Sequence, residues 1–478
     1  MAQPANSAAP EWKGNVLLRF WKKWFSADPI PADLDPGYMR RQILAIVLPA
    51  MVELILTQLV SMVDMMMVGQ LGSWAIAATG LTTQPKFLLL AAFIALNSGA
   101  TAMVARFKGA QDPVMVQRTM HQSLCLTLIL GIIVAIIGYV GSEWMVSAMG
   151  GVPGETLEVA TQYLKIQMIG FVPVALTTAI TACLRGVGKT KASMYYNLVS
   201  NAVNVFFNYC LIYGHLGMPR MELAGASLAT VIGQCVAFVI AVWVLASGKF
   251  YLKLHFLQVL KFDLDLIRRI LKIGTPAMFE QLVMRAGIIL YVRLVSSLGT
   301  ELYATHQICM NILSLSFMNG QAFGISATSL MGQALGRKRV DEAKAYVRYT
   351  RTLGMIVSAI IGMFLFFGGG LVAGLYSNEA HVVELAKGLL KIVAVIQPLQ
   401  GSQLILTGAL RGAGDTRSTA IIGGATMLGI RPLLGWILVY PAGMGLWGAW
   451  VALATDQTVR SILVYFRYKQ SKWQHIRV

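Results

Sequence analysis

Charge is scarce in this chain. Asp, Glu, Lys and Arg make up 13% of its 478 residues, against 56% hydrophobic, and mean hydropathy is +0.64. An ordinary soluble domain carries about 25% charged residues, so a cytosolic globule is excluded and an integral membrane protein is expected. Acids are scarcer than bases, 21 against 39, for a net charge of +18. A nucleic-acid binder would spread that excess over a solvated face, whereas here Lys and Arg fall between apolar runs; no nucleic-acid partner is expected. Cysteine is also sparse. The five (Cys125, Cys183, Cys210, Cys235, Cys309) are odd in number, lie in or at the ends of apolar segments and have no metal-like spacing, which argues against a disulfide framework and a metal site. There is no His-Glu-x-x-His, no pair of aspartates in adjacent spans and no nucleophile beside a base, so no enzyme is expected. No signal peptide precedes the first long apolar segment.

What is present is repetition. Pro49-Ala50-Met51-Val52-Glu53 returns 227 residues later as Pro276-Ala277-Met278-Phe279-Glu280, and the same offset carries Leu71-Gly72 onto Leu298-Gly299 and Gly109 onto Gly336. Leu184-Arg185-Gly186-Val187-Gly188 recurs as Leu410-Arg411-Gly412-Ala413-Gly414, and Gly225-Ala226 as Gly448-Ala449. Two related apolar halves read as the parallel repeat of a membrane transporter, with its working cavity between the lobes.

A span needs about 20 apolar residues. Twelve segments qualify, near 42–66, 76–104, 119–140, 159–183, 192–213, 224–246, 267–296, 303–333, 347–374, 385–409, 418–440 and 446–466. The fold class expected is therefore all-α integral membrane, with twelve helices in two six-helix bundles related by a pseudo-two-fold axis along the membrane normal. Alternate connections are basic (Arg106, Lys108 and Arg118; Arg185, Lys189 and Lys191; Arg337, Lys338, Arg339 and Lys344; Arg411 and Arg417), which makes both termini cytoplasmic in a plasma membrane. The organisation read is residues 1–41 as a cytoplasmic segment, 42–246 as the N-lobe, 247–266 as a cytoplasmic linker, 267–467 as the C-lobe and 468–478 as a cytoplasmic tail. Trp12 to Phe25 interleaves aromatic and basic residues at helical spacing, and reads equally as an interfacial helix or a disordered basic tail.

An ionisable group near the bilayer centre costs about 2.5 to 3.5 kcal/mol on insertion scales and is a functional candidate by default. Glu53 and Asp64 fall in the first segment, Gln84 and Lys86 in the second, Glu280 and Arg285 in the seventh, His306 in the eighth, Arg431 in the eleventh and Asp456 in the twelfth. Asn197, Asn201, Asn204 and Asn208 recur at spacings of four, three and four along one face of the fifth, and Thr230 lies in the sixth. The amides line an ion or substrate site, or they glue neighbouring helices. At the repeat position of Asn204 the second half carries Arg431, which should pair with Glu280 or Asp456, since a lone guanidinium in hydrocarbon is too costly. Pro49, Pro85, Pro173, Pro276 and Pro398 interrupt spans and create bend points.

The run Val63-Asp64-Met65-Met66-Met67-Val68-Gly69-Gln70-Leu71-Gly72 and the Leu-Arg-Gly-Xaa-Gly-Xaa-Thr turns at 184–190 and 410–416 form a recognisable set. With Gly225-Ala226-Ser227-Leu228-Ala229-Thr230 and Gly332-Gln333-Ala334-Leu335-Gly336, they resemble the multidrug and toxic compound extrusion (MATE) family over about residues 40–467. The resemblance implies a V-shaped pair of bundles that exports amphipathic, often cationic compounds in exchange for protons or sodium, with no cofactor beyond that ion. It also implies a coupling site built from Asp64, Asn204 and Thr230. Asn208 stands where relatives have a second Asp, which suits a tightly held sodium less well. A deeper segment-seven Glu of some relatives is Met284 here. Asp64 is the coupling carboxylate expected, with Glu53 as the alternative; Glu280, Gln84, Lys86, His306, Met284 and Arg431 are expected around the substrate cavity. The acids favour cationic substrates, but Lys86, Arg285 and Arg431, if they face the cavity, favour anionic or zwitterionic ones. The partners expected are small amphipathic compounds and membrane lipids, around a monomer. A lipid-linked precursor flippase of the same superfamily is the alternative function, and would need a strongly cationic central cavity.

Overall fold

In a computed structural model of the chain, residues 33–149, 154–248, 251–253, 262–377 and 379–476 are described, and among them there is no strand. The first half comprises α1 (Pro36–Gly69), α2 (Ser73–Gly109), α3 (Pro113–Val140), α4 (Ser142–Ala148), α5 (Glu155–Ile169), α6 (Phe171–Gly186), α7 (Thr190–Tyr213) and α8 (Glu222–Ala246). The second comprises α9 (Leu264–Ser296), α10 (Thr300–Gly336), α11 (Val340–Gly374), α12 (Ala380–Gly412), α13 (Thr416–Gly424), a π segment (Ala425–Ile430), α14 (Arg431–Val439) and α15 (Gly445–Lys469). A short 3-10 turn (Lys472–His475) ends the described chain. The stretch from Trp12 to Phe25 and linker residues 254–261 lie outside the described residues.

Helix starts follow local chemistry. Asp35 caps α1 by accepting from the backbone N–H of Gly37 and Tyr38 at 2.9 and 3.0 Å, with Pro36 in the first turn, where its missing N–H has no intrahelical partner to lose. Asp112 caps α3 through Met115 at 3.0 Å and Asp263 caps α9 through Leu266 at 3.2 Å. Pro49, Pro85, Pro276 and Pro398 lie inside continuous helices, where each removes one backbone hydrogen bond. Pro173 is different. The bend of 50° in that segment falls at Gly170, between α5 and α6, and Pro173 stands in the first turn of α6.

Among the described residues, seven helices are long and apolar enough to cross a membrane: α1, α2, α3, α8, α10, α11 and the run Thr416–Val439; the bent pair α5 and α6 makes an eighth if it is one span. This is a multi-pass membrane protein. The helices α7, α9, α12 and α15 fall outside that set, and three of them carry the amide row, Glu280 with Arg285, and Asp456 with Arg460. Their low apolarity reflects an interior built from polar groups.

The buried cores show how the halves meet. Met39, Ile43, Ile46, Val47 and Ala50 of α1 pack with Ala322 to Leu335 of α10, and Leu96, Ala102 and Met103 of α2 pack with Leu266, Ile270 and Ile273 of α9. All of these lie toward the ends that carry Arg106, Lys108, Arg337 and Arg411. At the opposite ends the cores are separate, with Val68, Ala75, Ala78 and Phe93 in a first-half core and Tyr291, Val295, Cys309 and Leu313 in a second-half core. The two halves are joined at the basic end and packed independently at the other. Close backbone approach makes the joint: a Cβ at Gly109 would stand 1.9 Å from the Gln333 carbonyl oxygen, and one at the repeat-related Gly336 would stand 2.0 Å from that of Arg106. In lipid, where apolar burial drives little, such small-residue contacts carry helix association.

Candidate cation or proton site

A row of amide contacts ties α7 to α1. Asn197 Nδ2 donates to Glu53 Oε1 at 2.9 Å, Asn201 Nδ2 to Thr57 Oγ1 at 3.5 Å and Asn208 Nδ2 to Asp64 Oδ1 at 2.5 Å, each between residues 144 apart. The constant separation means that the two helices run side by side in the same direction, so the amide spacing of four, three and four becomes a polar ladder between them.

The lower rung is closed. Glu53, 6% exposed, accepts from Arg185 Nη2 at 2.9 Å and from Ser193 Oγ at 2.8 Å, besides Asn197. The upper rung is different in kind. With the Asn204 amide turned so that its nitrogen faces the carboxylate, it donates to both Asp64 oxygens at 2.9 and 3.2 Å, while its oxygen accepts from the Thr230 backbone N–H at 3.3 Å. Asp64 is thus held by two amides and makes no ion pair among the described residues. Asn208 is 1% exposed and its Oδ1 has no hydrogen-bond partner. Lys86 lies within electrostatic reach of Asp64 and donates from Nζ to Gln167 Oε1 at 2.9 Å. Asp64, Asn204, Asn208 and Thr230 therefore come together as one site, and Glu53 lies three turns away on the same helix in its own cluster.

The second half repeats the closed rung. Glu280 accepts from Arg411 Nη2 at 2.7 Å and from Thr419 Oγ1 at 3.2 Å. Arg431 donates from Nη2 to Asp456 at 2.7 Å, and Arg460 reaches both Asp456 oxygens at 2.8 and 2.9 Å. Arg460 Nε also donates to Thr426 Oγ1 at 2.9 Å, in the π segment, and the Arg431 guanidinium stands 5.5 Å from the Tyr291 ring centre. One carboxylate, fully buried, is shared by two guanidiniums.

Three of the expected cavity residues are placed elsewhere. Glu280 is 5% exposed with both oxygens engaged, and Arg431 is locked into the Asp456 cluster, because each neutralises a neighbour that would otherwise be buried and charged. His306 is 1% exposed, packed among Tyr291, Tyr303 and Trp450, as an aromatic ring in an apolar interior does. Gln84 is exposed on α2, Met284 is half-buried on α9, and Lys86 is half-buried beside Gln167. Arg185, Arg411 and Arg460 are interior residues that the sequence reading leaves in connections or does not single out. Glu53 and Arg185 recurring together as Glu280 and Arg411, and Asp456 standing four residues before Arg460, are the signals that point to them. No cluster of three or more His, Cys, Asp or Glu that could hold a metal occurs among the described residues.

A duplicated all-helical membrane protein, with charged groups paired inside its halves and one carboxylate held by amides alone, has the construction of a transporter. A model of the MatE family matches residues 49–210 and 276–437, which are the two repeats, and the chain belongs to this family of multidrug and toxic compound extrusion transporters. It is similar to the "Probable multidrug resistance protein NorM" of Thermotoga maritima, 26% identical over 436 residues that cover 91% of this chain and 93% of that one. Its namesake from Halalkalibacterium halodurans is 28% identical, covering 89% and 93%. Among solved structures, the fold is similar to an outward-facing multidrug resistance MATE transporter, with TM-score 0.85 and 21% identity over 92% of this chain and 97% of that one. It is equally similar, at TM-score 0.85 and 22% identity over the same shares, to a transporter from Pyrococcus furiosus whose structure was described as having a binding pocket of reversed polarity.

Proposed function

We propose that this chain is a secondary active exporter of amphipathic organic compounds, driven by exchange for a proton or sodium ion at Asp64. Its named relatives are multidrug resistance proteins, which supports the export reading. The helix order supports twelve spans in two six-helix lobes, with the split segments α5/α6 and α13/π/α14 each counted as one. On that reading both termini are cytoplasmic in the plasma membrane, the basic ends face inward, and the shared cores close the inner side while the outer ends are free to part.

The observation that carries the reading is the contrast around the carboxylates. Glu53, Glu280 and Asp456 each have a guanidinium, and Asp64 has amides. A carboxylate without a fixed counter-charge can accept a proton or a cation and then release it. When occupied, it loses its demand for the Asn204 and Asn208 donors, so binding biases how α1 sits against α7. An ion and a substrate that prefer different settings of that element are thereby coupled. Cationic substrates were favoured by the acids Asp64, Glu53 and Glu280. With Glu53 and Glu280 neutralised by Arg185 and Arg411, little negative charge is left to attract them.

Purified protein in vesicles, given a pH gradient and a sodium gradient separately, tests the reading with a fluorescent amphipathic dye. Movement of dye under one gradient, lost in Asp64→Asn, is the expected outcome. No movement under either refutes exchange, and undiminished movement in Asp64→Asn removes Asp64 from the role.

A further inference from the structure

The joint between the halves ends in a charged residue. Along α2 and α9 the contacts run antiparallel: Gly99 lies against the backbone of Ile270, Ala95 against Gly274, and further from the basic end the Arg285 guanidinium stands 4.0 Å from the Phe87 ring centre. Beyond this level the cores belong to one half or the other. Arg285 and Phe87 therefore sit where the halves begin to part, at the floor of any cleft between them.

Arg285 is half-buried with its guanidinium against the Phe87 ring, and among the described residues it has no hydrogen bond and no ion pair. None of the five donors of its planar fork meets an acceptor among the described residues. Its surroundings add to the imbalance. Within its half, Glu280 is matched by Arg411 and Asp456 is shared between Arg431 and Arg460, so two carboxylates face four guanidiniums once Arg285 is included. Lys86, next to Phe87 in sequence, is turned to Gln167 and lies within reach of Asp64. The two acids of its own half, Glu280 and Asp456, are already engaged and leave Arg285 without a counter-charge.

We infer that Arg285 is the core of an anion subsite at the floor of the cleft, and that the exported compounds are amphipathic carboxylates seated with the carboxylate on the Arg285 fork and the apolar body against Phe87 and Met284. A planar fork matches a carboxylate with two parallel hydrogen bonds, and a flat apolar body suits an aromatic ring beside a flexible methionine. A single unpaired guanidinium matches one negative charge better than a polyphosphate, which would need several. The inference names the substrate class for the export proposed above and rests on it.

A matched set of ligands separates charge from shape: 1-naphthoate, its neutral amide 1-naphthamide and the cation 1-naphthylmethylammonium, each titrated by fluorescence against the full chain in detergent at neutral pH. Naphthoate should bind at least about tenfold more tightly than the amide, with the cation weakest. Arg285→Gln should cost naphthoate about tenfold and leave the amide unchanged, and Arg285→Lys should keep part of the preference. Tightest binding by the cation, or an equal loss of naphthoate and amide in Arg285→Gln, overturns the subsite, as does a lysine variant with no preference left. Binding needs no gradient. A protein that selects naphthoate yet moves none of the three in vesicles refutes the transport reading alone, whereas gradient-driven export of the cation refutes the subsite alone.

Discussion

Glu53 in the first half and Glu280 in the second meet matching partners: an arginine from the Leu-Arg-Gly-Xaa-Gly turn at 2.9 or 2.7 Å, and a hydroxyl from the helix that follows it. One level further along, the halves part. Where the first has Asn204 against Gly233, the second has Arg431 against Asp456, with Arg460 added. Duplication kept the ion pair that ties each half's first and fourth segments together and changed the position above it. The kept pair reads as scaffold. The changed position left one carboxylate, Asp64, with amides for company, and another, Asp456, saturated with guanidinium.

The largest expected effect tests that difference directly. Asp456→Asn leaves two guanidiniums buried without a counter-charge, which should cost about 3 to 5 kcal/mol; little folded protein should be recovered from membranes. Asp64→Asn removes a carboxylate that has no ion pair, so its melting temperature in detergent should stay near that of the unaltered chain while gradient-driven export is lost. If the two variants behave alike, the contrast between working and structural carboxylates is wrong.

The scaffold pair provides the next test. Glu53→Gln and Glu280→Gln each strip one buried arginine of its carboxylate, but Arg185 and Arg411 are 24% and 29% exposed and can reach water. Each should lose about 1 to 3 kcal/mol, by similar amounts, measured as matched drops in thermal midpoint. Export abolished in Glu53→Gln alone, with folding intact, would instead move the coupling role to Glu53.

Much of this contrast was visible in the sequence. The repeat offset, the helix-length apolar runs and the amide row at spacings of four, three and four are local or periodic, and each maps onto the helices found. What stayed hidden were pairings across 131 and 132 residues, Glu280 with Arg411 and Glu53 with Arg185, because both arginines lie in turn motifs that read as loop charge. The joint between halves was equally illegible. It depends on glycine backbones such as Gly109 and Gly336 meeting carbonyls of the other half, and a glycine's spacing says nothing of what approaches it. His306 is ambiguous for a related reason, since an ionisable ring in an apolar segment looks the same in sequence whether it faces water or packs among Tyr291 and Trp450.

A smaller effect follows from restoring a second acid to the open site. Asn208 already points its amide at Asp64, so Asn208→Asp would place two carboxylates together, a better cage for a hard cation. Sodium should stabilise this variant beyond any effect on the unaltered chain, by about 1 to 3 kcal/mol at saturation, read as a sodium-dependent rise in melting temperature. The absence of any such rise would mean that Asn208 does not share a cation position with Asp64.

The smallest effect lies at the joint, outside the membrane. Asp33, just ahead of α1, takes a forked contact from Arg339 between α10 and α11, with Nη2 to Oδ1 at 3.0 Å and Nη1 to Oδ2, and Arg339 also holds Asp341 at 2.7 Å. The Arg339 guanidinium holds the Asp33 carboxyl below its ordinary value of 3.8. A carboxylate so depressed contributes its full stabilisation above the unfolded value and loses it as pH falls through the folded one, so the clasp should hold at neutral pH and open only in acid below about 4. Because Asp33 is exposed and screened by water, the contribution is slight. The melting temperature of Asp33→Asn should fall marginally short of the unaltered chain at pH 7, and the gap should close as pH falls below 3.8 and through the depressed folded value. A gap that persists in acid would show that Asp33 acts at this joint through something other than its charge.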